Sequence, residues 1–550
     1  MSLENPTSAT VLGGPSALEQ PLAWLSTQAM NVVVGAALGA LAARAMRRCN
    51  IHWSWAALAL VVLLLLRSSL GGEGVTLVLA AAWAAWTGRR RHREDLDAGA
   101  DLADRAYVRR TPLQQIAALV RATRARSRER TGAERKLRGG RMALGRDSHG
   151  RTVSVPFGGD GGRHTLVVGA TGSGKTVTQT WICACAIEHG LGAIVVDPKG
   201  DAAMRAEVQR AARAAGRPFL AWSPQGGAIY NPYARGSDTE IADKVLAGEL
   251  FTEPHYLRQA QRYLGHVVRA LRANDVEVSL QSIVEQLDPE RLELLARALP
   301  EDAATATHSY LDSLTARQRS DLAGVRDRLA ILAESDVGPW LDPRGRGGAP
   351  RFELLQAVDA RAVVYFSLEA DSRPLLTQML GAAIVQDMLT TVAALQGRPA
   401  PTLLVIDEFS AIAAEQVVRL FGRARSAGFS LLLGTQELSD LRPPGRERLL
   451  DQVMGNLSVL VAHRQVVPSS AQLIASLAGT RGAWRVTLLG DGRSTRRRAR
   501  EPVLDPDLVM GLPRGWGVVI GLAELRQTRL ARIFSPQRVP AGRRTDAPLS

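Results

Sequence analysis

The chain has 550 residues, 46% hydrophobic and 22% charged. That length is more than one ordinary domain needs, and that balance excludes an intrinsically disordered chain. Lys and Arg number 68 against 53 Asp and Glu, a formal +15, which suits a polyanionic partner, nucleic acid or anionic membrane, without choosing between them. An Ala/Arg-rich genome would give the same excess. Cys49, Cys183 and Cys185 are too few and too irregular for a disulfide framework or a zinc site, so a reducing compartment suits the bulk of the chain.

Residues 1–20 form an N-terminal tail without Lys or Arg. Pro21 to Ala43 then runs without a charge, long enough to span a bilayer. Its Gly35-Ala-Ala-Leu-Gly39 offers a small-residue face to a neighbouring helix. Two shorter apolar blocks follow, Trp53–Leu66 and Val75–Trp86, with tryptophans near their ends. Arg44, Arg47 and Arg48 follow the first block, and Arg89-Arg-Arg-His-Arg93 follows the third. Positive-inside logic with both basic clusters inside gives three spans, or two if the third block lies in the interface. Residues 21–88 are therefore a membrane anchor, multi-pass in either case. Residues 89–140 form a basic linker, with a helical pattern from Leu113 to Val120 and dense arginine from Arg121 to Arg138.

His164-Thr-Leu-Val-Val168 reads as a buried strand, and Val177–His189 as a helix. Between them lies Gly169-Ala170-Thr171-Gly172-Ser173-Gly174-Lys175-Thr176. Strand, glycine loop and helix in that order are the context of a phosphate-binding P-loop. The glycines let backbone N–H groups surround phosphate oxygens, and the helix N-terminus adds positive potential. Lys175 then reaches the β- and γ-phosphates of ATP, and the Thr176 hydroxyl ligates Mg²⁺.

Gly192–Asp197 is a second buried strand, ending in Asp197-Pro-Lys-Gly-Asp201. A helix (Ala202–Ala215) and a strand (Pro218–Trp222) continue the β/α alternation of a doubly wound sheet. Residues 239–345 are almost wholly helical in pattern and read as an inserted all-α subdomain. The sheet resumes at Ala362–Leu368, then at Pro401–Glu408, Phe429–Gln436 and Leu457–Val461. Trp484–Glu501 reads as a hairpin with a basic tip at Arg493–Arg500. Trp516–Ile520 and Thr528–Phe534 are the last strands, and residues 536–550 a disordered tail. The expected architecture is α/β, a RecA-like P-loop sheet in 141–238 and 346–535 carrying the insert.

Leu403–Ile406 ending in Asp407-Glu408 is a Walker B pattern. Asp407 holds Mg²⁺ and Glu408 aligns or deprotonates the attacking water. The strand ending at Asp197 is a rival, but Pro198 stands where the catalytic acid belongs. Lys175 and Asp407 are 232 positions apart. That separation admits several intervening strands, as in translocating motors rather than small kinases. Gln436 ends the next strand, placed to sense the γ-phosphate or the water. Arg423 and Arg425 are candidates for an arginine finger reaching a neighbouring subunit.

Together these segments resemble the type IV secretion coupling proteins, the TraG/TraD group of conjugative ATPases, which sit with the FtsK/HerA-like DNA motors. The resemblance rests on His164–Thr176, Asp197–Asp201, Leu403–Phe409 and Gly434–Gln436. It implies ATP hydrolysis by Lys175, Thr176, Asp407, Glu408 and Gln436. It also implies a homo-hexameric ring at the bacterial inner membrane that moves DNA, with no sequence preference, through a central channel. A relaxase-bound relaxosome and the secretion channel proteins are the implied partners, with the all-α subdomain reading the relaxosome. An FtsK-type translocase and a docking platform or ATPase for protein secretion are the alternatives. The apolar blocks depart from the group's usual two spans.

Overall fold

A computed structural model describes residues 19–48, 53–66, 69, 73–97, 140–148, 150–157, 162–249, 251, 253–345, 347–412, 414–443, 447–488, 494–522 and 527–536. The linker helix expected at Leu113–Val120 and the C-terminal tail lie outside them. The chain divides into two compact units: the N-terminal helices with residues 482–501, and the remainder.

In the first unit, helices span Glu19–Arg48, Ser54–Leu65 and Glu73–Asp97. Within the first of them, Trp24–Met46 is long and apolar enough to cross a membrane. Ser54–Leu65 has 12 residues, about 18 Å of helix against a hydrocarbon core of about 30 Å. The third helix is long, but its apolar run stops at the arginines after Trp86. Among the described residues of this unit, then, one helix is of spanning length and it packs on the third, so two or three full spans are not found. The small-residue face makes that packing. A Cβ on Gly35 would stand 2.8 Å from Leu79 Cβ, and one on Gly39 would stand 2.6 Å from the Ala80 carbonyl and 2.8 Å from Trp83 Cβ. Backbones that close need glycine, and the approach lets Thr76 Oγ1 donate to Asn31 Oδ1 at 3.1 Å.

The hairpin is present, as Thr480–Leu488 paired with Ser494–Pro502. Arg496, Arg497, Arg498 and Arg500 lie within its second strand, so most of the basic stretch is strand rather than tip.

In the second unit the strands are β1 (Arg141–Arg146), β2 (Thr152–Pro156), β3 (Thr165–Val168), β4 (Gly192–Asp197), β5 (Phe219–Trp222), β6 (Ile229–Tyr230), β7 (Arg351–Phe352), β8 (Val363–Ser367), β9 (Thr402–Ile406), β10 (Phe429–Thr435) and β11 (Val459–Ala462). Numbering the hairpin strands β12 and β13, the chain closes with β14 (Trp516–Gly521) and β15 (Thr528–Ile533). Eleven of them form one sheet in the order β2-β1-β15-β14-β11-β3-β10-β9-β4-β8-β5. From β11 to β5 all neighbours are parallel; β14, β15, β1 and β2 extend the sheet antiparallel. The parallel strands are apolar throughout because helices cover both faces. On one face lie the P-loop helix Lys175–Glu188 and the helix Ala202–Ala214, packed on Val167, Val195 and Val405.

The other face carries most of the remaining helices. Between β6 and β7 the chain forms the helices Asp238–Leu246, Pro254–Ala273, Leu280–Glu285, Pro289–Ala296, Glu301–Asp312 and Ala316–Ala333. The helical pattern is therefore real. Yet Val245, Leu264 and Leu329 belong to the same continuous core as Leu166, Val196 and Ile406 of the sheet. The helix Pro374–Ala394 is also apolar enough to span a membrane, but it is 72% buried and serves as core. Its Asp387 takes Lys244 Nζ at 2.6 Å and Tyr230 Oη at 2.8 Å. That buried ion pair ties the helical run to the sheet-covering helix. Burial pushes the Asp387 carboxyl up, and the lysine and tyrosine oppose the push.

Candidate nucleotide site

Parallel strands deliver their C-terminal ends to one edge of the sheet, and ligands of such folds bind there. At that edge β10 lies between β3 and β9, so one strand separates the strand before the P-loop from the strand ending in Asp407. The loop after β3 turns on glycines that only glycine suits, Gly172 at φ 76° and Gly174 at φ 116°. Its early part is pinned from outside. Gly169 N donates to Thr435 O, Ala170 N to Arg464 O and Gly515 N to Ser173 O. The P-loop is thus seated on the turns after β10 and β11 and before β14. The first N–H groups of the following helix have no intrahelical acceptor and point at the edge.

Lys175 is folded down onto the two acids. Its Nζ lies 2.6 Å from Asp407 Oδ1 and 3.1 Å from Glu408 Oε2, with all three side chains mostly buried. Burial alone would lower the lysine's pKa, but the two carboxylates hold it above the ordinary value. Glu408 has φ 46°, a left-handed conformation that is uncommon for a non-glycine residue. Its carboxylate also accepts Gln436 N at 3.2 Å and Lys199 Nζ at 3.3 Å. Gln436 Oε1 in turn receives Thr171 Oγ1 at 3.4 Å. Lys175, Asp407, Glu408, Thr171 and Gln436 therefore meet, as the sequence spacing requires.

Arg423 and Arg425 do not join them. They precede β10 and lie at the sheet's opposite end, about 20 Å of strand away. Both are exposed there, where Arg425's stem packs on Gly162. Asp197 is occupied structurally. Its carboxylate accepts Lys199, Gly200 and Asp201 N–H groups and the Tyr365 hydroxyl at 2.6 Å. Burial nonetheless holds its pKa above the ordinary value. The Asp-Pro-Lys-Gly-Asp turn thus closes on its own first residue and projects Lys199 at Glu408.

Sequence reasoning gave no role to Lys199, His463 or Gln179. Lys199 lies within a motif already singled out, but only the β4–β9 pairing shows which acid it faces. His463 follows β11. Its Nε2 lies 2.8 Å from Thr178 Oγ1 and its Nδ1 2.9 Å from the Trp516 carbonyl. Burial lowers its pKa to about 4, against the raising effect of the Trp516 carbonyl. A neutral ring is therefore wedged under the P-loop helix.

The donor set fits a nucleotide with Mg²⁺. A Cβ at Gly169 would crowd Ser173 Oγ and His463, and one at Gly434 would collide with Asp407 and Gln179, so both glycines keep the cradle open. Among the described residues no three His, Cys, Asp or Glu side chains gather as a closed metal site. One carboxylate, a threonine hydroxyl and substrate phosphates are what Mg²⁺ ordinarily takes.

Two family models match the chain. Residues 401–514 match the TraM recognition site of TraD and TraG, and residues 150–336 match the central domain of the helicase HerA. No curated protein sequence matches. The bacterial conjugative coupling protein TrwBdeltaN70 aligns with 74% of this chain and 93% of its own, at 17% identity and a TM-score of 0.56. TrwB with ADP and Mg²⁺ covers 69% of this chain and 87% of its own at 18% identity, TM-score 0.51. TrwB with the ATP analogue ADPNP gives 69% and 88%, also at 18% and 0.51. Sheet order, P-loop and paired acids define a P-loop NTPase of the RecA-like kind. The two family-model matches place its resemblance with the TraD and TraG proteins and with the helicase HerA.

Proposed function

We propose that the protein hydrolyses ATP to drive DNA from a relaxase-bound substrate into a type IV secretion channel, as a membrane-anchored homo-hexamer. The observation that carries this reading is Lys175 held between Asp407 and Glu408 at the edge of a sheet that shares its fold with a conjugative coupling protein. In it, P-loop N–H groups and Lys175 bind the phosphates, while Thr176 and Asp407 hold Mg²⁺, which neutralises phosphate charge. Glu408 orients the attacking water and takes its proton. Gln436, bonded to both Glu408 and the P-loop threonine, reports the state of the γ-phosphate to β10. Arg423 or Arg425 serves a neighbouring subunit's nucleotide, which their distance from their own site permits. Trp24–Met46 anchors the ring, with the ATPase on the cytoplasmic side.

The test is ATP turnover by the full chain in detergent, with and without single-stranded DNA, across a salt series. Stimulation that salt abolishes supports the motor. Turnover indifferent to DNA at every salt concentration refutes DNA as cargo and leaves a protein-exporting ATPase.

A further inference from the structure

Gln179 lies one turn into the P-loop helix and is completely buried. Neither its amide nitrogen nor its amide oxygen has a hydrogen-bond partner. A buried unpaired amide is costly, and native structures keep few of them. This one is aimed. A single Cβ placed on Gly434 would collide with both Gln179 Nε2 and Asp407 Oδ1, so the two atoms face each other across the bare glycine. The same Oδ1 is the atom that Lys175 holds at 2.6 Å.

We propose that Gln179 is a positioning residue for Asp407. When Lys175 leaves for the phosphates, Gln179 Nε2 donates to the oxygen that the lysine vacates. Asp407 accepts only, so the nitrogen must be the end turned toward it. The bond would fix the carboxylate's rotamer and leave Oδ2 to face the metal site. Gly434 is the space that makes the handover possible, because any side chain there would wedge the pair apart. The cost of the orphan amide falls on the nucleotide-free state and is relieved in the loaded one, which biases Asp407 toward loading. This inference rests on the nucleotide reading of the site.

The experiment compares Q179M and Q179L with wild type in the full chain. The readouts are thermal midpoint without nucleotide, ADP affinity in EDTA, and the Mg²⁺ concentration that half-saturates the ADP-dependent rise in midpoint. Removing the orphan amide should leave the nucleotide-free midpoint unchanged or higher. ADP affinity in EDTA should stay at the wild-type value. The Mg²⁺ requirement should rise by about 10- to 100-fold, as when a partner of a metal ligand is lost. A wild-type Mg²⁺ requirement in a folded variant overturns the proposal. So does a clear drop in nucleotide-free stability in both variants, since the amide would then be structural. If wild type itself fails to bind ADP, the nucleotide reading fails, a separate outcome visible before any variant is made.

Discussion

Replacing Glu408 by Gln keeps the side chain's shape and removes its charge and basicity. Two effects separate in size and direction. A positioned general base contributes about 10²- to 10⁴-fold to turnover, or about 3–5 kcal/mol of barrier, so E408Q should lose that much kcat. Binding should move the other way. Lys175 must abandon Asp407 at 2.6 Å and Glu408 at 3.1 Å to reach a phosphate. A hydrogen bond to a charged group has a net worth of about 1.5–3 kcal/mol. The amide keeps part of that, so ATP should bind E408Q several-fold more tightly than wild type. Single-turnover hydrolysis and equilibrium binding of ATP check the two arms separately. The backbone gives an internal control. Glu408 sits at φ 46°, a conformation that costs a non-glycine residue about 1–2 kcal/mol. E408G should therefore be more stable than E408A by about 1 kcal/mol while both are inactive. Turnover of E408Q within tenfold of wild type would refute Glu408 as base. Weaker ATP binding would refute the claim that the acids hold the lysine back.

Other sites test the frame around it. K244M strands the buried Asp387 with Tyr230 as its remaining donor and should cost about 3–5 kcal/mol in denaturant unfolding. K244M/D387L should recover most of that loss, and a K244M cost below about 1 kcal/mol would make the pair incidental. His463 titrates near 4 when folded against about 6.5 unfolded, so the unfolded chain binds more protons between those values. Stability should then be full above about pH 6.5 and fall by roughly 1.4 kcal/mol per pH unit as pH drops toward 4. His164, lowered to about 4 by burial, adds to the slope, and H463Q should flatten it. Equal unfolding midpoints at pH 7 and pH 5 would refute this. Among the N-terminal helices, cysteines replacing Asn31 and Thr76, whose side chains meet at 3.1 Å, should cross-link on oxidation. G39L should abolish the cross-link by forcing a side chain into the Ala80 carbonyl.

The parts of the site that were legible in the sequence are the local ones. Glycines at the P-loop, an apolar strand running into Asp407-Glu408, and an amide closing the following strand each carry their chemistry in a few consecutive residues. The helical stretch from 239 to 345 is legible for the same reason, through its local helical pattern. That it shares the sheet's core is not, because pattern reports which face of a helix is apolar and not what covers it. Lys199 and His463 meet partners distant in sequence across neighbouring strands, and Gln179, though one turn from Lys175, faces Asp407 only through the fold, so no spacing rule reaches them. At the N-terminus, composition and flanking charge read the three apolar blocks as two or three spans. Length in ångströms, rather than hydropathy, removes Ser54–Leu65 from that count.

The sheet order explains why the site needs so much chain. Because β10 separates β3 from β9, the P-loop and the acids share no backbone pairing. They are linked through side chains, chiefly Lys175, and through the strand between them. Gln436 stands at the end of that strand with one bond to each side. On the proposed reading, a change in the phosphate's charge that moves Lys175 off Glu408 is felt at Gln436, and through it along β10 to the turn after the helix that ends at Ala424, where Arg423 and Arg425 lie. That turn lies at the other end of the same seven-residue strand. On the proposed reading, a strand that begins beside the finger candidates and ends at Gln436 would be a short mechanical path between two subunits' sites. It predicts that Q436A uncouples turnover from DNA stimulation while sparing ATP affinity. ATP hydrolysis by Q436A still stimulated by DNA to the wild-type extent would break the path at its sensor.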